Sequence, residues 1–151
     1  MVLWNGSCMV HEIFSLEKIS KLKEKHPNAK LISHPECEAA LLDISDFIGS
    51  TTGLLKYTQT DDAQEYIVAT ETGILHKMMQ ASPHKTFIPA PPNNACACND
   101  CPHMKLNTLE KIYLCLKYEL PELLMDEDLR IQAKIPIDRM LEISEKAGLK
   151  G

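Results

Sequence analysis

The chain has 151 residues, 44% of them apolar and 25% charged, with a net charge of −5 from 16 Lys and Arg against 21 Asp and Glu. This is the composition of a globular domain with a real core, and the absence of a Lys/Arg cluster argues against a nucleic-acid partner. No apolar run approaches the ~18–20 residues needed to span a bilayer, and the opening "MVLWNGSCMVHEIF" has no basic leader and no small-residue cleavage site.

In chain order, "VLW" (2–4) reads as a strand end reached after almost no chain, as in the C-terminal part of something longer. "SLEKISKLKEKH" (15–26) places Leu16, Ile19 and Leu22 at helical spacing among lysines and glutamates. "AKLIS" (29–33) predicts a strand and "ECEAALLDIS" (36–45) a helix. "DFIG" (46–49) leads into the helix "STTGLLKYTQ", and "EYIVAT" (65–70) into "ETGILHKMMQAS". "KTFIPA" (85–90) ends in "PAPPNN", where proline stops the strand because it cannot donate to the ladder. Repeated strand–helix units predict an α/β fold: three layers, helix–sheet–helix, around a short parallel sheet. The last third is helical. Asn107 and Glu110 have capping-box spacing, and Leu109, Ile112, Tyr113 and Leu116 share one face. "IPIDRMLEISEKAG" predicts a final helix with Pro136 near its start and Gly148 as its stop.

The chemistry-bearing residues follow the strand ends. Asn5-Gly6-Ser7-Cys8, His34-Pro35-Glu36-Cys37, Ser50-Thr51-Thr52-Gly53, Glu71-Thr72-Gly73 and the cysteine loop each come just after a predicted strand. Open α/β sheets bind ligands outside the carboxyl ends of their strands. His34 and Glu36 are two apart, so an extended segment stiffened by Pro35 aims both at one spot, for acid–base work or a charged substrate. Ser50, Thr51 and Thr52 lie at a strand-to-helix entry, which suits either an anion site or plain N-capping. Thr70 and Thr72 admit the same reading, weakened by the charge of Glu71. His11 reads as a structural or surface histidine.

A cytosolic location is the default expectation, and there the six cysteines are thiols or metal ligands rather than a disulfide framework. Cys8 reads either as a small buried apolar residue or as a ligand, while Cys37 and Cys115 read as core. Cys96, Cys98 and Cys101 are spaced C-x-C-x-x-C, with His103 two further on. These four could close a structural zinc site, although their spacing is not that of a zinc finger. Cys101 stands immediately before Pro102 and a helix, whereas Cys96 and Cys98 sit in a loose Pro/Asn/Ala segment.

Together, "WNGSCMVH", "HPEC", "GSTTGLLKY", "YIVATETGILHKM", "PAPPNNACACNDCPHMKLNTLEKIY" and "IPIDRML" resemble the C-terminal half of the quinolinate synthase family of NAD biosynthesis. The resemblance implies three α/β domains around a pseudo-threefold axis, each giving one cysteine to a central [4Fe-4S] cluster whose open iron acts as a Lewis acid. It implies a transferase that condenses iminoaspartate with dihydroxyacetone phosphate to quinolinate in the cytoplasm. By position, Cys8 and Cys101 would be cluster ligands, and His34, Pro35, Glu36, Ser50 and Thr51 would meet substrate, with His34 and Glu36 catalytic. Cys96 and Cys98 match positions the family does not use as ligands, and position 103, usually aromatic there, is histidine here. On this reading residues 1–13 end the second domain, 14–104 form the third, and 105–151 are a C-terminal helical segment. The third cysteine ligand would come from an N-terminal quinolinate synthase fragment outside this chain. The alternative is a structural zinc module built on Cys96, Cys98, Cys101 and His103.

Overall fold

The structure, a computed structural model, describes residues 6–93 and 99–148. The chain divides into two compact units, Met1–Leu106 and Asn107–Gly151. The expected strand at 2–4, Cys96 and Cys98 all lie outside the described residues.

The first unit begins with a single turn, α1 (Met9–Glu12), and continues through α2 (Leu16–Lys25), β1 (Lys30–Ser33), α3 (Ala39–Leu42), β2 (Phe47–Ile48), α4 (Thr51–Thr60), β3 (Glu65–Ala69), α5 (Gly73–Ala81) and β4 (Thr86–Pro89). The four strands form one sheet in the order β2-β1-β3-β4. Every pairing is parallel, with Ile32 opposite Phe47 and Val68, and Ile67 opposite Ile88. The pleat sends alternate residues to opposite faces. Leu31, Ile67 and Ala69 pack with Phe14, Ile19 and Leu41 on one face, under α2 and α3. Ile32, Tyr66 and Val68 pack with Leu54, Leu75 and Met78 on the other, under α4 and α5. The three-layer α/β architecture is therefore as expected. Each buried Leu or Ile contributes about 1.5–3 kcal/mol, so both layers hold the sheet firmly.

The strand starts carry structural charge. Lys30, at the start of β1, donates to Asp61 beyond α4, and Tyr66 donates to the same carboxylate at 2.8 Å. Lys85, just before β4, is buried and donates to the Thr58 carbonyl at 2.8 Å, closing the end of α4. These contacts sit at the opposite edge from the strand-end loops.

Four local expectations change. The helix expected over 36–45 shrinks to α3, and Cys37 is buried in the turn before it. In the second unit, α6 (Leu109–Tyr118) is capped by Thr108, whose hydroxyl accepts from the Lys111 N–H at 3.2 Å, and not by Asn107. α7 (Glu127–Lys146) starts earlier than expected, with Asp126 accepting from the Leu129 N–H at 3.0 Å and Pro136 well inside. The helix runs on through Pro136, which has no N–H to give to its ladder. Gly148, with φ +70°, ends it as expected. Neither α6 nor α7 buries a residue, so Cys115 is exposed rather than core, and Leu109, Ile112 and Leu116 remain exposed. Among the described residues, no helix is long and apolar enough to cross a membrane.

Candidate functional site

Cys8 precedes α1, and the single helical turn brings His11 round beneath it; the His11 N–H donates to the Cys8 carbonyl at 2.9 Å. His11 is buried. Its Nδ1 lies 3.0 Å from Glu36 Oε2, and its Nε2 lies 3.1 Å from Thr70 Oγ1, just past the end of β3. The His34 ring stacks on the His11 ring with centroids 4.2 Å apart and planes 10° from parallel. Glu36 Oε2 is 3.7 Å from His34 Nδ1, and the Glu36 N–H donates to that same nitrogen at 3.3 Å. The ends of β1 and β3 and the turn after Cys8 thus meet around two stacked imidazoles and one carboxylate. Burial and the neighbouring His11 hold the pKa of His34 below the ordinary histidine value, so it favours the neutral ring. Glu36 remains half exposed, open to a ligand from solvent.

The segment after β4 is tied to the same place. Asn99 is buried and its Nδ2 donates to the Val10 carbonyl, in the turn that follows Cys8. The Thr72 hydroxyl donates to Asp100, which also sits 3.6 Å from Lys105. The Thr72 hydrogen bond, with help from Lys105, holds the Asp100 carboxyl below its usual range. Cys101 follows directly and, like Cys8, is partly exposed and unpaired. Cys37, by contrast, faces the core; burial pushes its thiol up to about 11 and it donates to the Ala69 carbonyl. A site needing thiolates at this edge therefore has Cys8 and Cys101 available among the described residues, and not Cys37.

Ser50 stands after β2, beside β1 in the sheet, and its hydroxyl accepts from the Gly53 N–H at 3.2 Å as the cap of α4. Thr51 is exposed in the first turn of that helix, and Pro35 is exposed between His34 and Glu36. Glu71 turns back so that its carboxylate accepts from the Gly73 N–H at 2.7 Å, which a side chain at position 73 would obstruct. Local reading took His11 as a structural or surface histidine and Thr70 as an anion-site or capping residue, and missed their contact with each other. The only sequence signal for His11 is its position three residues after Cys8, the spacing that shares one face of a helical turn. Of the four residues of a closed zinc site, Cys96 and Cys98 lie outside the described residues and His103 is exposed. A cleft of about 280 Å³ beside His11, between α2 and α3, includes none of His34, Glu36, Ser50 or Thr51.

A family model described as "Quinolinate synthetase A protein" matches residues 1–142. The chain belongs to that family. It is 58% identical over 144 residues to the quinolinate synthase of Microcystis aeruginosa, a match covering 95% of this chain and 45% of that one. It is 58% identical over 144 residues to the enzyme of the same name from Rippkaea orientalis, covering 95% and 44%. A third relative of that name, from Chloroherpeton thalassium, is 55% identical over 146 residues, covering 96% and 45%. The chain thus spans a little under half the length of these quinolinate synthases.

Proposed function

We propose that this chain is the C-terminal part of a quinolinate synthase and works with an N-terminal part of the same kind. The reaction is the condensation of iminoaspartate with dihydroxyacetone phosphate to quinolinate, in the cytoplasm, for de novo NAD biosynthesis. The observation that carries the reading is the convergence of the Cys8 turn, His34-Pro35-Glu36 and the Asn99–Cys101 segment on one sheet edge, in a chain of this family. On this reading residues 1–13 end one domain, 14–104 form the next, and 105–151 are a helical appendage.

Cys8 and Cys101 fit two of the three thiolate ligands of a [4Fe-4S] cluster: both are partly exposed, both are unpaired, and Asn99 ties their segments together. The cluster would supply a Lewis-acidic iron for substrate oxygens. The chain's own residues bind and move protons around it. Glu36, exposed to solvent and backed by His11, accepts or orients a substrate proton. His34, held neutral, offers a ring nitrogen to the same substrate. Ser50 and Thr51, at the start of α4, receive a substrate carboxylate or phosphate where helical N–H groups collect.

The test is anaerobic reconstitution with iron and sulfide, alone and with the N-terminal region of the Microcystis relative. Broad brown thiolate–iron absorbance and quinolinate formation are expected only from the pair. Both should vanish with Cys101→Ala and survive Cys96→Ser with Cys98→Ser. A cluster that persists in Cys101→Ala, or is lost in the double variant, refutes the ligand assignment.

A further inference from the structure

We propose that Cys8, His11 and Glu36 form a mononuclear site for a divalent ion of zinc's class, an alternative to a cluster at Cys8. One ligand atom from each lies within 4.8 Å of the others, and this is the one such grouping among the described residues. Thiolate, imidazole and carboxylate are the donors that a borderline-soft ion accepts together, whereas magnesium or calcium would refuse the sulfur.

Two ligand atoms on a tetrahedral zinc lie about 3.3–3.6 Å apart, given bonds near 2.0–2.3 Å. His11 Nδ1 and Glu36 Oε2 are already 3.0 Å apart. Cys8, whose side chain is only partly buried, starts within 4.8 Å of both partners and closes the set by moving inward. The other ring nitrogen is already engaged. A metal-bound histidine usually engages its other ring nitrogen, which fixes tautomer and orientation. Here Nε2 meets the hydroxyl of buried Thr70 at 3.1 Å, and the stacked His34 holds the ring plane. Nδ1 is therefore the ligating nitrogen. One proton bridges Nδ1 and Glu36 in the free chain, since a bare lone pair facing a carboxylate at 3.0 Å would repel it. The ion takes Nδ1, the displaced proton passes to Nε2, which then donates to the Thr70 hydroxyl, and the Cys8 thiol proton leaves to solvent, so that thiolate and carboxylate match the ion's two positive charges. Glu36 is 51% exposed, so the ion enters from solvent and keeps a fourth position open to water.

The three-residue grouping stands on its own geometry, whether or not a cluster forms. Its consequence rests on that reading: Cys8 cannot serve both metals, so a zinc-class ion would hold the chain in a state unable to accept a cluster and would cover Glu36.

The experiment is an anaerobic titration of the reduced full chain with Co²⁺, followed by its tetrahedral visible bands and its near-ultraviolet thiolate charge-transfer band. One ion per chain is expected, displaced by Zn²⁺. Cys8→Ser should abolish the thiolate band. Glu36→Gln, a change at an exposed carboxylate that leaves the core alone, should weaken binding by about tenfold or more. The triple variant Cys96→Ser, Cys98→Ser, Cys101→Ala should bind as the parent does, with unchanged circular dichroism. Absence of a thiolate band in the parent, its survival in Cys8→Ser, its loss in the triple variant, or unchanged affinity in Glu36→Gln overturns the site. Reconstitution with the N-terminal region reads iron and sulfide separately, so a failure of the cluster reading leaves its own, different trace.

Discussion

Replacing Thr70 by valine tests whether the two sheet-edge segments are held together through His11. Thr70 is 2% exposed and His11 7%, and their hydroxyl–imidazole contact is 3.1 Å. Valine keeps nearly the shape of threonine and removes the only polar atom. His11 Nε2, on a ring only 7% exposed, is then left without its partner, which costs about 1–3 kcal/mol. In a unit of roughly one hundred residues each kcal/mol moves the melting point by about 4–8 °C, so the expected drop is at least about 4 °C. Thermal unfolding followed by circular dichroism reads this directly. The cost should also be conditional. In His11→Phe the ring nitrogens are gone, so adding Thr70→Val to that background should cost markedly less than in the parent. Additive effects of the two substitutions, or a Thr70→Val variant that melts with the parent, would refute the link.

Two further outcomes follow from the titrating groups. His34 has a lowered folded pKa, from burial and the adjacent His11, so the unfolded chain binds its proton first. Stability should fall as pH drops below about 6.5, and His34→Gln should flatten that decline in urea midpoints measured between about pH 7 and 5. The Cys37 thiol, raised to about 11, stays protonated where an unfolded thiol near 9 ionises. Native Cys37 should therefore resist iodoacetamide at pH 9 while Cys8 and Cys101 react, read by peptide mass mapping. Stability should also decline between about pH 9 and 11 in a way that Cys37→Ala removes.

The sheet was readable because its signals are local. β1 and β3 are short runs of Leu, Ile and Val that a doubly covered parallel strand needs, and Pro89 and Pro91 mark where β4 must stop. His34 and Glu36 were readable for the same reason: two residues on one short strand-end segment can be placed together from spacing alone. Their meeting with His11 and Thr70 was not, because those contacts join residues 25 and 59 positions apart. Nothing in "CMVHE" says which buried acceptor its histidine will find. At Asn107-Thr108 both residues can cap, and the backbone chose the second. At Pro136 a residue that commonly starts helices sits inside one, because the charged stretch before it already forms the first turns.

The hydrogen bond from Asn99 to Val10 has a consequence in time. Its two ends are 89 residues apart in the chain. At ribosomal speeds of about 5–20 residues per second, Val10 waits roughly 4–18 s for Asn99 to be made, and Cys101 follows only after that. Throughout that interval Cys8 is present without Cys101. Any metal that needs both cysteines can be taken up only after Cys101 is made, whereas one that needs Cys8 alone among the two can arrive earlier.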